Sequence, residues 1–400
     1  MMIMDHPAGP GGSINKGRPV SKSQNTYDLV IVGASFAGLV CARTAAMRGL
    51  KTLVLERKED PGARVSTTGI LVKEAADELA LPLQLTRKVR GVRLYGPSLA
   101  SIELRAPGYY FLSTDTAGLL RWLADEAQRA GARLACGARF AGAHREGGYL
   151  GLDGHAIKTR YLIGADGARS QVAQAFGLGR NQRYLIGLEA EYEGLSIAED
   201  ALHCFVDGKL APGYLGWAVP GVGVTQVGLA VSGHRKPDIK SFEHKVAATL
   251  GLAEGRVIAR RSGLIPAGGL VRPFATQQVL LIGDAAGLVS PLTGGGIRLA
   301  FHFGRRAGQA VADYLLDGGG DPGAVMAREY PSLAIKTGLR RLMDFAPPNW
   351  LIDPLLFTAP MRALARELYF HRRRIPGEPW HEPGTLEVPR PGKQAVPFFL

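Results

Sequence analysis

Residues 27 to 56 read YDLVIVGASFAGLVCARTAAMRGLKTLVLE. Tyr27 to Val32 is an apolar, β-branched run, the pattern of a strand buried on both faces. It leads straight into Gly33-Ala-Ser35-Phe36-Ala37-Gly38. Phe36 to Arg48 then carries helical spacing, with Leu39, Ala42, Ala45 and Ala46 available for one face. Lys51 to Leu55 is a second buried run, and it ends on Glu56. Strand, glycine turn, helix, strand and an acid about twenty residues on predict a βαβ unit that binds a dinucleotide. Gly33 permits the tight turn and Gly38 lets the helix pack closely on the strands. Ser35 stands where a second glycine is usual; it is small enough for a pyrophosphate to approach the backbone. The helix start, at Phe36 and Ala37, offers free N–H groups and a positive dipole end to the phosphates. Glu56 is expected to accept both ribose hydroxyls, with Arg57 beside it. An acid at that position points to FAD or NAD rather than NADP.

Working outward, 400 residues exceed one small domain and allow a large core. Hydrophobic residues at 46% and charged residues at 21% describe a soluble globular protein, and no run reaches the roughly 18 apolar residues of a membrane span. Residues 1–26, rich in Gly, Pro, Ser and Lys, read as a disordered leader and not as a signal peptide. Cys41, Cys136 and Cys204 have neither metal nor redox spacing; they read as small buried hydrophobes, which predicts no metal site and a cytoplasmic protein. The net charge of +13 suits nucleic acid, a membrane surface or anionic substrates. With no nucleic-acid motif and no aromatic-basic stripe, nucleic acid is set aside. Oligomeric state has no signature here.

The strand-then-glycine-acid pattern of Val32-Gly33 returns twice. Tyr161-Leu-Ile-Gly164-Ala-Asp166-Gly167-Ala-Arg169-Ser170 is one instance, followed by helical spacing to Phe176. Gln278-Val-Leu-Leu-Ile-Gly283-Asp284-Ala-Ala-Gly287 is the other. Pro291-Leu-Thr-Gly294-Gly295-Gly296-Ile297 then opens a long helix to about Leu316. Between the second and third instances, from Tyr184 to Val231, alternating runs predict an antiparallel sheet. The expectation is an α/β fold: a Rossmann-like nucleotide domain (27–183 and 256–320) split by an antiparallel-sheet substrate domain (184–255). C-terminal helices near Met326 to Phe345 and Leu355 to Arg372 and a proline-rich tail complete 321–400.

These three stations together resemble the FAD-dependent oxidoreductases of the p-hydroxybenzoate hydroxylase fold, over roughly Tyr27 to Leu316. The resemblance implies that FAD is the cofactor, that Asp166-Gly167 is the family's Asp-Gly motif, and that Asp284 holds the ribityl chain. It further implies that Gly294 to Ile297, after Pro291, present backbone N–H groups to the flavin ring, where a helix N-terminus stabilises reduced flavin. Within that fold, Gly283 to Ile297 is similar to the geranylgeranyl reductase family stretch. Tyr214-Leu-Gly-Trp217-Ala-Val219-Pro220 resembles its Tyr-x-Trp-x-Phe-Pro motif, with Tyr shifted by one and Phe replaced by Val219. Tyr214 and Trp217 would line an apolar channel over the flavin. The family's Cys-Gly-Glu-Gly-Ile loop corresponds to Ser66-Thr67-Thr68-Gly69-Ile70, without the cysteine or the acid. Its flavin-contacting arginine corresponds to about Thr116. Halogenases of the fold carry Trp-x-Trp-x-Ile-Pro; Leu215 at the first position argues against halogenation.

The resemblance implies reduction of carbon–carbon double bonds in a prenyl or similarly apolar substrate. With no second dinucleotide fingerprint, NAD(P)H would bind transiently as electron donor. No general acid is identifiable from the residues. The alternative is a flavin monooxygenase acting on an aromatic or polyketide-like substrate. A basic amphipathic segment, 355–374, raises membrane-peripheral association beside the cytoplasmic expectation.

Overall fold

The computed structural model describes residues 25–370, apart from 198, 199, 234 and 346. The expected leader and the proline-rich tail lie outside those residues, except that Asn25 and Thr26 already belong to the first strand. That strand, Asn25–Val32, sits inside a parallel sheet. It pairs with Thr52–Leu55 on one side and Ile157–Gly164 on the other. Arg133–Ala135 lies beyond the former and Val279–Leu281 beyond the latter, all parallel. Leu29, Val30 and Ile31 are consecutive and fully buried, as a strand covered on both faces requires.

This pairing decides where the site forms. Val32 stands opposite Leu55 and Gly164, and Gly164 opposite Leu281. The three glycine-acid turns and Glu56 therefore emerge at the carboxyl ends of four neighbouring strands, the edge where open α/β sheets bind ligands. The helices Phe36–Met47 and Ile297–Leu316 pack together beside them, with Phe36 edge-on to Phe301 at 5.6 Å.

A second sheet has seven strands, in the order Arg256–Pro266, Tyr184–Glu193, Thr225–Ser232, Gly216–Pro220, Ala201–Phe205, Gly91–Tyr95 and Ser101–Leu104. Two features differ from the expected boundaries. Arg256–Pro266, assigned above to the nucleotide domain, pairs along its length with Tyr184–Glu193. The hairpin Gly91–Leu104 also joins this sheet, through a parallel pairing with Ala201–Phe205. Both pairings link strands remote in sequence, so no local pattern announces them. One face of the sheet is covered by helix Ile239–Leu250 through Phe242, Val246 and Leu250. The other face, carrying Leu94, Cys204, Trp217 and Val219, shares a core with Phe111 of a small sheet (Ile70–Val72, Thr86–Val89, Phe111–Thr114) and with Phe370.

The two expected C-terminal helices are four: Pro322–Glu329, Ala334–Met343, Asn349–Leu356 and Ala359–Phe370. Prolines explain the first two breaks. Tyr330 precedes Pro331 and is extended (φ −63°, ψ 132°), and Pro348 interrupts the chain again before Asn349.

Candidate FAD site

At the first station Gly33 has φ +107°, and a Cβ there would lie 2.3 Å from the Ala165 carbonyl oxygen. The first turn thus passes directly over the second, and only glycine permits it. A Cβ on Gly38 would lie 2.0 Å from the Gly33 carbonyl oxygen, so the helix start is pressed onto its own turn. Ser35 is exposed and caps the helix with no side-chain hydrogen bond. Glu56 is buried. Its Oε2 accepts from the Ala34 N–H and its Oε1 from the Lys58 N–H, both at 2.9 Å, which draws the end of the second strand under the glycine turn. Arg57 is exposed beside it.

The two aspartates have different surroundings. Asp166 accepts from the Ser170 hydroxyl and the Gln171 N–H at 2.6 Å and from the Val172 N–H at 3.1 Å, so it supports the start of helix Gln171–Ala175, whose cap is Ser170. Burial raises its pKa and those hydrogen bonds oppose the rise. Gly167 continues this turn in the left-handed region. Asp284 makes no side-chain hydrogen bond among the described residues, and burial alone pushes its pKa up to about 6. Its Oδ1 faces Gly296, 3.6 Å from where a Cβ would stand. Gly283 begins the turn that carries it. Asn181, unremarked in the sequence, ties the two stations together. Its Nδ2 donates to the carbonyls of Ala168 (3.1 Å) and Asp284 (2.8 Å), while its Oδ1 is buried with no partner.

Pro291 is buried and leads into Gly294, Gly295 and Gly296; Ile297 starts a 20-residue helix whose N-terminus has no side-chain cap. Tyr214 reaches this turn from the second sheet. Its hydroxyl donates to the Thr293 carbonyl at 2.5 Å, and a Cβ on Gly294 would lie 2.8 Å from it. Gly294, at φ +64°, is thereby fixed as glycine by backbone and by neighbour.

Trp217 is not open to solvent. Its indole N–H donates to Glu189 Oε2 at 2.9 Å. The register places Trp217, Gly228, Glu189 and Arg261 in one row across four strands. That row and the adjoining Gln226 grip the 66–70 loop. Arg261 donates to the Thr67 carbonyl (3.1 Å) and Gln226 to the Thr68 carbonyl (3.0 Å). From the other side Thr116 donates to the Thr68 carbonyl (3.2 Å) and Thr114 to the Gly69 carbonyl (3.0 Å). Thr116, expected beside the cofactor, is buried with its hydroxyl committed to this loop. Thr67 is half-buried and held through its backbone. Burial raises the Glu189 pKa; the Thr68 hydroxyl, Arg261 and Trp217 oppose it. Its Oε1 has no hydrogen bond, with Arg261 Nε 3.7 Å away, because the guanidinium is shared with Glu191. Sequence reading missed Glu189, Gln226 and Arg261, since only strand register brings them to the loop.

The residues present fit a flavin dinucleotide: backbone close enough for a pyrophosphate, a buried acid at the second strand end, and an unpartnered carboxylate beside an uncapped helix start. Among the described residues no His, Cys, Asp or Glu cluster suits a metal ion.

The profile of the family described as FAD binding domain matches residues 26–321. The chain is thus a flavoprotein oxidoreductase with FAD as its cofactor. Digeranylgeranylglycerophospholipid reductase of Methanocaldococcus jannaschii is 30% identical over 309 residues, spanning 72% of this chain and 77% of that one. Digeranylgeranylglycerophospholipid reductase 2 of Methanopyrus kandleri is 30% identical over 308 residues, again 72% and 77%. With these relatives, the chain belongs to the geranylgeranyl reductase-like family of FAD-dependent oxidoreductases. The crystal structure of a geranylgeranyl bacteriochlorophyll reductase-like protein from Thermoplasma acidophilum superposes with a TM-score of 0.75 at 23% identity, covering 87% of this chain and 97% of that one. p-Nitrophenol 4-monooxygenase of Pseudomonas putida superposes with a TM-score of 0.64 at 15% identity, covering 88% and 100%. At these identities the structural likeness speaks for the fold.

Proposed function

We propose that this enzyme reduces carbon–carbon double bonds of a prenyl-chain lipid. The observation that carries the reading is the apolar face of the second sheet, bearing Leu94, Cys204, Trp217 and Val219, joined by Tyr214 to the glycine turn of the FAD site. A polyprenyl chain needs an apolar, water-free surface beside the cofactor; this face is apolar but packed against Phe111 and Phe370, which the substrate would have to displace. In this reading Gly33 to Gly38 hold the pyrophosphate, Glu56 and Arg57 the adenosine end, Asp284 the ribityl chain and Gly294 to Ile297 the ring. Asp166-Gly167 sets the second turn, and Thr67 and Thr116 fix the loop over the ring.

Bound FAD, once reduced, supplies the hydride. The chain's own residues exclude water, position the double bond and stabilise negative charge through the uncapped start of helix Ile297–Leu316. NAD(P)H is the proposed electron source, bound only in passing.

The test is anaerobic. The purified holoenzyme is bleached with NADPH or dithionite and then mixed with a geranylgeranylated glycerophospholipid in detergent. Return of the oxidised flavin band without oxygen, with a product heavier by two hydrogens per reduced bond, is expected. A band that returns only when air is admitted, with a hydroxylated product from an aromatic substrate, would replace this reading with that of a monooxygenase.

A further inference from the structure

Helix Ala334–Met343 is amphipathic with its polarity turned outside in. Its polar side faces the protein. Arg340 is fully buried, its Nε 3.0 Å from Asp344 Oδ1 and its Nη2 hydrogen-bonded to the Gly213 carbonyl. Asp344 also receives the Ser232 hydroxyl, and Thr337 stands against Gly269. Its apolar side faces outward. Ile335, Leu339 and Leu342, spaced four and three residues apart, form one stripe, exposed by 82%, 46% and 66%. Met343, Phe345 (83%) and Trp350 (75%) extend it. Eight of the fourteen large apolar residues exposed among the described residues fall between Ile335 and Leu364. Clustering of this kind marks an interaction surface.

We infer that this outward stripe, with Phe345 and Trp350, seats the enzyme on an anionic lipid bilayer. The inference rests on the prenyl-lipid reading and gives that substrate a route in. Charge selects the occupant. Lys336 and Arg341 flank the stripe and Arg362 and Arg366 follow on the last helix, all exposed. The nearby acids Asp344 and Asp353 are engaged by Arg340 and by the Ser98 N–H. An apolar stripe with an aromatic end and a basic border matches the boundary between headgroups and acyl chains, and the chain's +13 charge favours anionic lipid over a like-charged second copy. Continuity with the site supports the same choice. Gly213, clamped by Arg340, precedes Tyr214, which touches the flavin turn. Leu356, Ala365 and Phe370 of the following helices pack into the core that holds Trp217. The surface therefore differs from the segment 355–374 expected from sequence. The described part of that segment buries Ala365 and Phe370 and exposes only Leu355 and Leu364 among its large apolar residues, and 371–374 lie outside the described residues.

The experiment uses the full-length holoenzyme. It is sedimented with phosphatidylglycerol vesicles and, separately, with phosphatidylcholine vesicles, and is compared with the variant L342Q/F345Q/W350Q and with K336E/R341E. Binding to phosphatidylglycerol, on the order of tenfold weaker in each variant and weaker on phosphatidylcholine, is the expected result. Flavin content, Tm and turnover of detergent-dispersed substrate should be unchanged. Undiminished vesicle binding by the triple variant overturns the inference. So does light scattering that shows a wild-type dimer made monomeric by the triple variant, with no vesicle binding; a second copy would then cover the stripe. Vesicle binding that appears only after removal of residues 371–400 assigns the stripe to the chain's own tail and overturns it too. The two readings fail separately: vesicle binding with no prenyl turnover removes the substrate, whereas turnover of dispersed substrate with no vesicle binding removes the docking surface.

Discussion

Asp284→Asn should stabilise the apoprotein and weaken the holoprotein. Burial raises the pKa of Asp284 from 3.8 to about 6, with no hydrogen bond or cation among the causes. A carboxylate with a raised folded-state pKa carries no penalty below its unfolded pKa. The penalty grows as pH rises between the two values and is complete above the folded one. The rise corresponds to about 3 kcal/mol at most, and some water access makes about 1–3 kcal/mol the realistic range. Asparagine keeps the shape and removes the charge. The apo variant should therefore match wild type near pH 4 and exceed it by about 1–3 kcal/mol at pH 8. With FAD the order should reverse if Asp284 holds the ribityl hydroxyls as proposed, because asparagine offers them one neutral carbonyl oxygen in place of a carboxylate; affinity should fall by a factor on the order of ten to a hundred. Urea unfolding of apo and reconstituted protein at pH 4, 5, 6, 7 and 8, with flavin titration by fluorescence, measures both effects. An apo variant that is less stable than wild type at pH 8, or equally displaced at every pH, would refute the reasoning, because it would make Asp284 an ordinary structural cap.

Trp217→Phe removes the indole donor 2.9 Å from Glu189 Oε2 and leaves this buried carboxylate with Thr68 and Arg261 alone to offset its burial. Loss of about 1–3 kcal/mol is expected at pH 8 and less at pH 5, because a raised carboxylate pKa costs stability as pH rises through it; chemical denaturation at the two pH values checks it, and W217F/E189Q should recover part of the loss. Gly38→Val should abolish flavin retention and lower Tm, since even a Cβ would meet the Gly33 carbonyl at 2.0 Å; purified protein with a full flavin band would contradict this. Tyr214→Phe should fold normally, losing about 1 kcal/mol for the hydrogen bond to Thr293; its effect should appear as a shifted flavin spectrum or potential, and unchanged values would detach Tyr214 from the site.

What could be read in the chain and what could not divide along a physical line. The first βαβ unit is local. Gly33, Gly38 and Glu56 fall in one short βαβ stretch, so one sequence reveals them; Gly38 is pressed onto the local Gly33 carbonyl, whereas Gly33 is held by the remote Ala165 carbonyl. The turns at Asp166 and Asp284 are legible as strand ends for the same reason. Their different characters are not: one aspartate is saturated by its own helix start, the other is half-buried with no side-chain hydrogen bond among the described residues. Helical periodicity runs on past Pro331, but backbone sterics there end helix Pro322–Glu329 before Ala334–Met343 begins. The sequence by itself thus determined the cofactor class, the βαβ unit and the three turns, because tight turns and buried strands constrain neighbouring residues. Tertiary structure decided that Arg256–Pro266 joins the second sheet and that Glu189, Gln226 and Arg261 hold the 66–70 loop. It also decided that the apolar side of helix Ala334–Met343 faces outward. Strand register and helix orientation are settled by contacts between residues far apart in the chain, and periodicity reports the existence of a face without saying what it meets.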